Sequence, residues 1–555
     1  MGRVSTGFRQ YAARLLRAEQ SSVRLRPEAA VQVALVYPNS YQVGMANLGF
    51  QSLYRLLNGC GETRCERAFL GEGPLAREVR TLESGRPLRD FDIVAFSISF
   101  ELDYPHVVEM LQWAGIPLLW EQRKEQDPLV LCGGPAVTLN PAPMMPIMDA
   151  IFIGEAEEAV ENIIEAFRKG RDAGRGRAGM VEEVGGVPGI LAPALAGTQA
   201  TPPLVARQYV AELRAHPTFS AIVTPASHYR NMFLVEVGRG CARGCSFCAA
   251  GHIYRPRRVL TAAEVEEIVE RHASGTRRVG LVGAALSDFA ELESLCEHLS
   301  ERGYELGLSS FRLDAISTRL LQALAKANVR SITLAPETGS EALRFRINKR
   351  ISDAQIERAL ALISQAPMQT LRLYFLIGLP TETENDLHAI VRMVREAAAI
   401  FIRKGSRRRI VVSINAMIPK AWTVFQWAAM PERADLVQRR KRLETQLRSL
   451  PGVTIRPKSV REELLQAIFS LGGKEVGLAL VRKVAENLSW PQAWSAIGID
   501  WRGLVHRTRP FSTPFPWDIV DAGLSRQHLW RQWRKLLGEA SAGGGSSPAE
   551  EHRGD

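Results

Sequence analysis

Short apolar runs alternate with longer helical stretches through most of this chain, and the alternation comes in two separate series. In the first, VQVALVYP (31–38), FDIVAFSISF (91–100), PLVLCGGP (128–135) and AIFIGE (150–155) each end in a turn, with helical patterns such as NLGFQSLYRLLN (47–58) and HVVEMLQWAG (106–115) between them. Strands that are apolar throughout are buried on both faces, as in a parallel sheet covered by crossover helices. The runs close in NSY, SFELDY, GGPAVTLNP and GEAEE. Such loops gather at the carboxyl edge of the sheet, where open α/β folds bind ligands. The second series starts near residue 230 with NMFLVEVG (231–238), RRVGLVGAA (277–285), ELGLSSF (305–311), SITLAPE (331–337), TLRLYFLIG (370–378) and RRIVVSINAMI (408–418). Helices follow the first five, with N-cap signals at Ser352–Asp353 and at Thr383 with Asp386. Six such repeats predict a partial (β/α)6 TIM-like barrel with its working face at the strand C-termini.

The fold class expected is therefore α/β: an N-terminal Rossmann-like parallel sheet, a partial barrel and a C-terminal helical region. The expected boundaries are an amphipathic N-terminal helix within 1–25, the Rossmann-like domain at 26–170 and a linker with little core at 171–224, Gly- and Arg-rich where it opens and dominated by Pro and Ala thereafter. The barrel follows at 225–450, then a helical region at 451–538 and a disordered Gly/Ser-rich tail at 539–555. Trp490, Trp494, Trp501, Trp517 and Trp530 fall in the helical region, where a small helical core is the plainest role for them.

Composition excludes several classes. Of 555 residues 46% are hydrophobic and 23% charged, which is incompatible with a wholly disordered chain. No run approaches the roughly 18 consecutive apolar residues of a membrane span. MGRVSTGFRQYAARLLRAEQ has no apolar core of a secretory signal, so a cytoplasmic location is expected. The net charge of +11 admits a nucleic-acid partner without requiring one. The densest basic spots are Arg403, Lys404, Arg407, Arg408 and Arg409, and then Arg439, Arg440, Lys441 and Arg442.

Seven cysteines are an odd number for a disulfide framework, and three of them lie within eight residues. In VEVGRGCARGCSFCAAGHIYRPRR (235–258), Cys241, Cys245 and Cys248 have C-x3-C-x2-C spacing. Clustered thiolates suit a soft metal centre. Three are one short of closing a zinc site, for which His252 is the nearest fourth donor. The alternative is a 4Fe-4S cluster with one iron left open. Cys60, Cys65 and Cys132 are too scattered to count on as a second triad.

This segment resembles the signature loop of the radical S-adenosylmethionine (SAM) enzymes, placed after the first barrel strand as in that family. The resemblance implies a 4Fe-4S cluster on the three cysteines and SAM on its open iron. One electron from the cluster then cleaves SAM to a 5′-deoxyadenosyl radical that abstracts hydrogen from substrate. It also implies SAM contacts at Phe247, before the third cysteine, and at Gly283, where the family's usual acid is missing. Glu337 in APETGSEALRFRINKR (335–350) and Ile377 and Gly378 in YFLIGLPTET (374–383) are further candidates. Arg312 is a candidate for the SAM carboxylate, the substrate or an ion pair.

The first domain is similar to the cobalamin-binding domains found upstream of many radical SAM barrels, which would put Ser97, Ser99, Gly133, Gly134 and Gly154 on the cofactor edge. The D-x-H-x-x-G loop that supplies an axial histidine is absent, and no histidine precedes His106. The domain either binds cobalamin without that ligand or has lost the cofactor. SINAMIPKAWTVFQW (413–427) and PFPWDIVDAGLSRQHLWRQW (514–533) resemble segments of one uncharacterised radical SAM family.

The implied activity is radical SAM chemistry, with methyl transfer to an unactivated carbon if cobalamin is bound. RNA modification without cobalamin and a non-catalytic iron–sulfur protein are the alternatives. A flavodoxin- or ferredoxin-type reductant is the implied partner. The substrate and the catalytic residues are unassigned.

Overall fold

The computed structural model describes residues 4–196, 204–273, 275–308, 311–402, 407–456 and 458–539. Strand β1 (Val31–Tyr37) is apolar at every position except Gln32 and buried along almost its whole length. With β2 (Thr63–Phe69), β3 (Ile93–Ser97), β4 (Leu129–Gly133), β5 (Ala150–Phe152) and β6 (Ile190–Leu191) it forms a six-stranded sheet in the order β2-β1-β3-β4-β5-β6. Neighbours are parallel except β5 and β6, which run antiparallel.

Two parts of this domain depart from the sequence expectation. Strand β2 was not expected, because TRCERAF carries Arg64, Glu66 and Arg67. The fold buries Glu66 and Arg67 by pairing them: Arg67 reaches Glu83 at 2.6 Å and Glu19 at 2.8 Å, and Glu66 takes Arg64 at 2.9 Å. The supposed linker at 171–224 is folded onto the domain. It forms a helix (Gly176–Gly185) and β6, and Val181, Val184, Ile190 and Leu191 are buried. Arg177 fixes it by donating to the buried Asp149 at 2.5 Å. Residues 197–203 of that stretch lie outside the described residues. The N-terminal helix ends at Ala18, short of its expected reach, because Gln20–Ser21 turn extended and pair with Ile222–Val223.

The second series forms two four-stranded sheets. One contains β7 (Phe233–Arg239), β8 (Arg258–Val259), β9 (Arg278–Gly283) and β10 (Glu305–Leu308), in the order β8-β7-β9-β10. The other is β11 (Ser331–Glu337), β12 (Thr370–Ile377), β13 (Arg409–Ala416) and β14 (Val453–Arg456), in chain order. A parallel bridge between Phe311 and Leu334 links them. All pairs are parallel except β7 with β8. The six expected strands are present, and β14 adds a seventh parallel strand inside the region expected to be only helical. Along β12 the helix-covered face (Leu371, Leu373, Phe375, Ile377) is buried, and the other face (Arg372, Tyr374, Leu376) is half-buried, as strand alternation requires.

Residues 460–537 supply the helices Val460–Leu471, Lys474–Ala485, Trp490–Ile497, Trp501–His506 and Arg526–Leu537. The tryptophans build a core here: Trp517 is buried, and the rings of Trp490 and Trp494 stack with centroids 4.9 Å apart. This region also packs on the first domain. Asn140 donates to the Ser470 and Gly472 carbonyls at 3.2 and 2.8 Å, and a Cβ on Gly477 would stand 2.0 Å from the Pro143 carbonyl oxygen. Val520–Asp521 pairs in parallel with Val205–Ala206. The tail from 540 lies outside the described residues. No helix among the described residues is long and apolar enough to cross a membrane.

Candidate active site

Strand β7 delivers the chain into the cysteine loop through Gly240, whose φ is 84°. A Cβ there would stand 2.3 Å from the Tyr254 carbonyl oxygen, so only glycine turns the chain here. Cys245 is buried, and Cys241 and Cys248 are half-buried. Burial pushes the Cys245 thiol up to about 11, although Lys349 and Arg312 pull it down. Burial also raises Cys248, opposed by hydrogen bonds from the Gly251 and Ala250 backbone. The loop is thus a set of three sulfurs with backbone N–H groups and two cations aimed at it, a donor set that favours thiolates once a metal displaces the protons.

His252 does not complete this set. Its ring is buried with neither nitrogen hydrogen-bonded, and burial, helped by Arg255, lowers its pKa to about 4. No three His, Cys, Asp or Glu side chains among the described residues are arranged to hold one ion. A single zinc draws all its ligands to about 2.3 Å or less. A four-iron cluster binds each thiolate at a different iron, so its cysteines stand further apart.

The segment after β11 braces the cysteine loop. Ser246 N–H donates to the Ile347 carbonyl at 3.0 Å, and Asn348 Nδ2 donates to the Gly244 carbonyl at 2.7 Å. The fully buried Arg344 anchors this segment through the Thr338, Gly339 and Ile351 carbonyls. Glu337, with φ of 71°, is buried and paired with Lys349 at 2.9 Å. The Lys349 ammonium lies 5.9 Å from the centre of the Phe247 ring. Lys349 thus links Glu337 with the neighbourhood of the Phe247 ring, and both charges bear on the Cys245 thiol. Lys349 and Asn348 carried no sequence signal, since their partners lie 12 and 104 residues away. Arg312 forms an ion pair with Asp314 at 3.0 Å, and its Nη2 reaches the Lys349 carbonyl at 3.4 Å.

The residues expected on the fifth barrel strand are placed differently. Ile377 is fully buried on the helix-covered face of β12, so it is Leu376 that lies on the half-buried face. Gly378 has φ of 75°, and the space for its Cβ is taken by Pro431 at 3.0 Å and Leu436 at 3.1 Å. Its N–H donates to Glu382 at 2.8 Å. Burial raises Glu382 to about 7, even though that N–H and Arg439 lower it.

A cavity of about 450 Å³ runs from the first sheet to the barrel. Its inner part is apolar, walled by Leu35, Ala95, Leu131, Phe152, Val160 and Ile164. Its outer part carries Ser97, Ser99, Gly133, Gly134 and Gly154, and it ends against Gly238, Gly240 and Gly283 of the barrel. All five first-domain candidates and Gly283 thus line one cavity. Gly134 and Gly154 also answer to the backbone: their Cβ positions would lie 2.5 Å from Ile98 O and 2.1 Å from Gln208 O. Ser52 Oγ, on the apolar wall, is buried without a hydrogen-bond partner. Among the described residues, no histidine lines the cavity.

An ion-pair network latches the two halves at the cavity. Glu155 of the first domain meets Arg239 at 2.7 Å and Arg258 at 2.8 Å, and accepts the Val210 N–H at 2.9 Å. Arg239 also holds Glu157 at 2.9 Å and Glu236 at 2.7 Å. Sequence reading placed only Gly154 here. The latch partners lie 84 and 103 residues from Glu155, beyond the reach of any local pattern.

A parallel barrel with three cysteines after its first strand, behind a parallel-sheet domain, defines a radical SAM superfamily enzyme. Residues 235–394 match the family model of the radical SAM superfamily, and residues 49–193 match that of radical SAM proteins, N-terminal. The barrel fold of this superfamily uses a 4Fe-4S cluster and SAM. An uncharacterised protein of Methanocaldococcus jannaschii is 26% identical over 451 residues, covering 80% of this chain and 89% of its own. A tRNA-2-methylthio-N(6)-dimethylallyladenosine synthase of Sorangium cellulosum is 29% identical over 205 residues, 31% of this chain and 41% of the synthase. The radical SAM methyltransferase TsrM of Kitasatospora setae, solved with cobalamin and a [4Fe-4S] cluster, aligns with a TM-score of 0.45 at 13% identity, over 69% of this chain and 74% of its own. The cobalamin-dependent SAM radical enzyme OxsB gives 0.47 at 15%, over 66% and 52%.

Proposed function

We propose that this protein is a cobalamin-dependent radical SAM enzyme that transfers a methyl group to an unactivated carbon. The observation that carries the reading is the single cavity reaching from the apolar interior of the first sheet to Gly238 and Gly283 beside the cysteine loop. An elongated cofactor with an apolar end fits such a space: the inner wall takes the end, Ser52 Oγ offers a hydrogen bond, and Ser97 and Ser99 offer small polar contacts at the rim. A corrinoid held there would have no imidazole ligand from the cavity wall. The similar proteins include methylthiotransferases and an uncharacterised methyltransferase.

The cluster and corrinoid, when bound, supply the one-electron and methyl-carrying chemistry. The chain's own residues bind and orient. Cys241, Cys245 and Cys248 hold the cluster. Lys349 pairs with Glu337 and fixes its carboxylate for a SAM hydroxyl or ammonium group, with the Phe247 ring beside Lys349. The latch of Glu155, Arg239 and Arg258 holds the cavity against the barrel and excludes water from it.

The RNA alternative finds less support. Four of the arginines that admitted a nucleic-acid partner are engaged within the chain: Arg439 with Glu382, Arg440 with Glu463, Arg442 with Glu384, and Arg408 with the Ser364 and Ala366 carbonyls. Arg403 and Lys404 lie outside the described residues. A second cluster also lacks ligands: Cys60, Cys65 and Cys296 are buried apart from the loop, and Cys132 lies on the cavity wall.

The test is cofactor content. Protein purified without oxygen from cobalamin-fed cells should hold four irons and near-stoichiometric corrinoid, and should form 5′-deoxyadenosine from SAM only while Cys245 is intact. Iron without corrinoid refutes the cobalamin reading.

A further inference from the structure

We propose that the exposed face of the segment bracing the cysteine loop, made of Arg243, Phe345, Arg346 and Arg350, docks an acidic one-electron carrier protein. The inference rests on the cluster reading above. Within the short helix Glu341–Arg346, Leu343 and Arg344 turn inward and are buried. The same turn sends Phe345 and Arg346 outward, and leaves the Phe345 ring 51% exposed. Arg350 is also exposed. The ion pairs of this segment belong to Arg344 and Lys349, which leaves Arg346 and Arg350 with none among the described residues. Arg243 holds Asp288 at 2.6 Å and still exposes 43% of its side chain. An exposed aromatic ring set among arginines has the composition of an interface centre rather than of an ordinary solvated face.

The position of this patch argues for electron delivery. Arg243 stands two residues from both Cys241 and Cys245, so its Cα lies within about 7.6 Å of each cysteine Cα. Asn348 ties the Phe345–Arg350 stretch to the same loop through the Gly244 carbonyl at 2.7 Å. The loop has two sides. Gly240 and Tyr254 line the cavity, where the first domain blocks a protein partner, while Ala242 and Arg243 face solvent. The patch is therefore the face from which a protein can approach the sulfurs. Three arginines attract an acidic partner, speed its arrival and make the rate sensitive to salt. One electron leaves the reduced carrier and enters the cluster; the carrier is oxidised by one electron, and no bond is made or broken.

The experiment uses the full chain with its cluster loaded and follows bleaching of the cluster absorbance in a stopped-flow instrument. Reduced flavodoxin and dithionite are the two reductants. In the double variant R346E/R350E, the second-order rate with flavodoxin should fall by about tenfold or more at low ionic strength, and the gap should narrow as salt rises. The dithionite rate should stay at the wild-type value. F345S, which changes no charge, should slow the flavodoxin reaction at every salt concentration. Equal flavodoxin rates in wild type and variants would overturn the proposal. Equal losses with both reductants would overturn it too, since the cluster itself would then be disturbed. Unchanged flavodoxin rates with lost filter retention of bulk tRNA would assign the patch to RNA instead. A wild type that takes up no iron, or that dithionite does not reduce, would refute the cluster reading and the docking surface with it.

Discussion

Glu155→Gln should loosen the join between the first domain and the barrel. The carboxylate is almost fully buried and is shared by two arginines, at 2.7 and 2.8 Å. Removing one partner of a buried ion pair costs about 3–5 kcal/mol, because the remaining charge stays desolvated. The two arginines are not equally exposed to this loss. Arg239 retains Glu236 and Glu157, at 2.7 and 2.9 Å. Arg258 retains no other carboxylate among the described residues, only carbonyls such as Tyr254 O at 3.3 Å and the Tyr209 ring, whose centre is 5.5 Å away. The lower end of the range, about 3 kcal/mol, is therefore expected, or roughly 6–12 °C in melting temperature for a cooperative unit of 150–250 residues. Burial raises the Glu155 pKa, but Arg258, Arg239 and the Val210 N–H more than offset it and hold the group below its ordinary 4.5. A depressed carboxylate stabilises the fold above its unfolded pKa and loses that contribution as pH falls through the folded value. Thermal melts of wild type and variant should differ by a constant amount from pH 5 to 8 and converge in acid. Equal melting at pH 7, or a gap that does not shrink at all as the pH falls below 4.5, would refute the latch.

Other outcomes are equally specific. Ala95→Phe puts a ring into the apolar end of the cavity and should abolish corrinoid retention while iron content stays at the wild-type level, as read by metal and corrinoid assays on one sample. Gly154→Ala must place a Cβ 2.1 Å from the Gln208 carbonyl oxygen at a φ of 118°, and should destabilise by at least about 2 kcal/mol in urea unfolding. Burial raises Glu382 from 4.5 to about 7, so its contribution to stability is greatest below pH 4.5 and falls as pH rises to 7. Glu382→Gln should remove that slope from the stability-versus-pH curve, and an unchanged slope would place the titration elsewhere.

The strands of the three large sheets were legible wherever burial on both faces forces an unbroken apolar run, as in VQVALVY. They were illegible where charge is buried in pairs. TRCERAF reads as surface until Glu83 and Glu19 arrive, 16 and 48 residues away, to neutralise Arg67. The supposed linker failed for a related reason: it opens on the Gly- and Arg-rich stretch KGRDAGRGRAG, yet Arg177 is drawn inward by Asp149. VTIR is too short and too mixed to signal a strand without its neighbour β13. The cysteine triad could be read because all three of its members lie on one loop. Lys349 could not, because its meaning comes from Glu337 and from a loop a hundred residues upstream. Ile377 was a matter of parity: a strand places adjacent residues on opposite faces, and the sequence alone does not say which face is inside.

The contact between residues 460–537 and the first domain bears on when the molecule can be loaded. Asn140 waits for its partner carbonyl at Ser470, 330 positions later. At about 5–20 residues per second, that partner emerges from the ribosome roughly 15–65 s after Asn140 itself. Through that interval the first sheet has neither its helical cover nor the barrel wall that ends its cavity. Oxygen-labile and light-sensitive cargo taken up then would sit in an open cleft. The architecture thus favours installation after release, when the far end of the chain has folded back and one chamber exists to be filled.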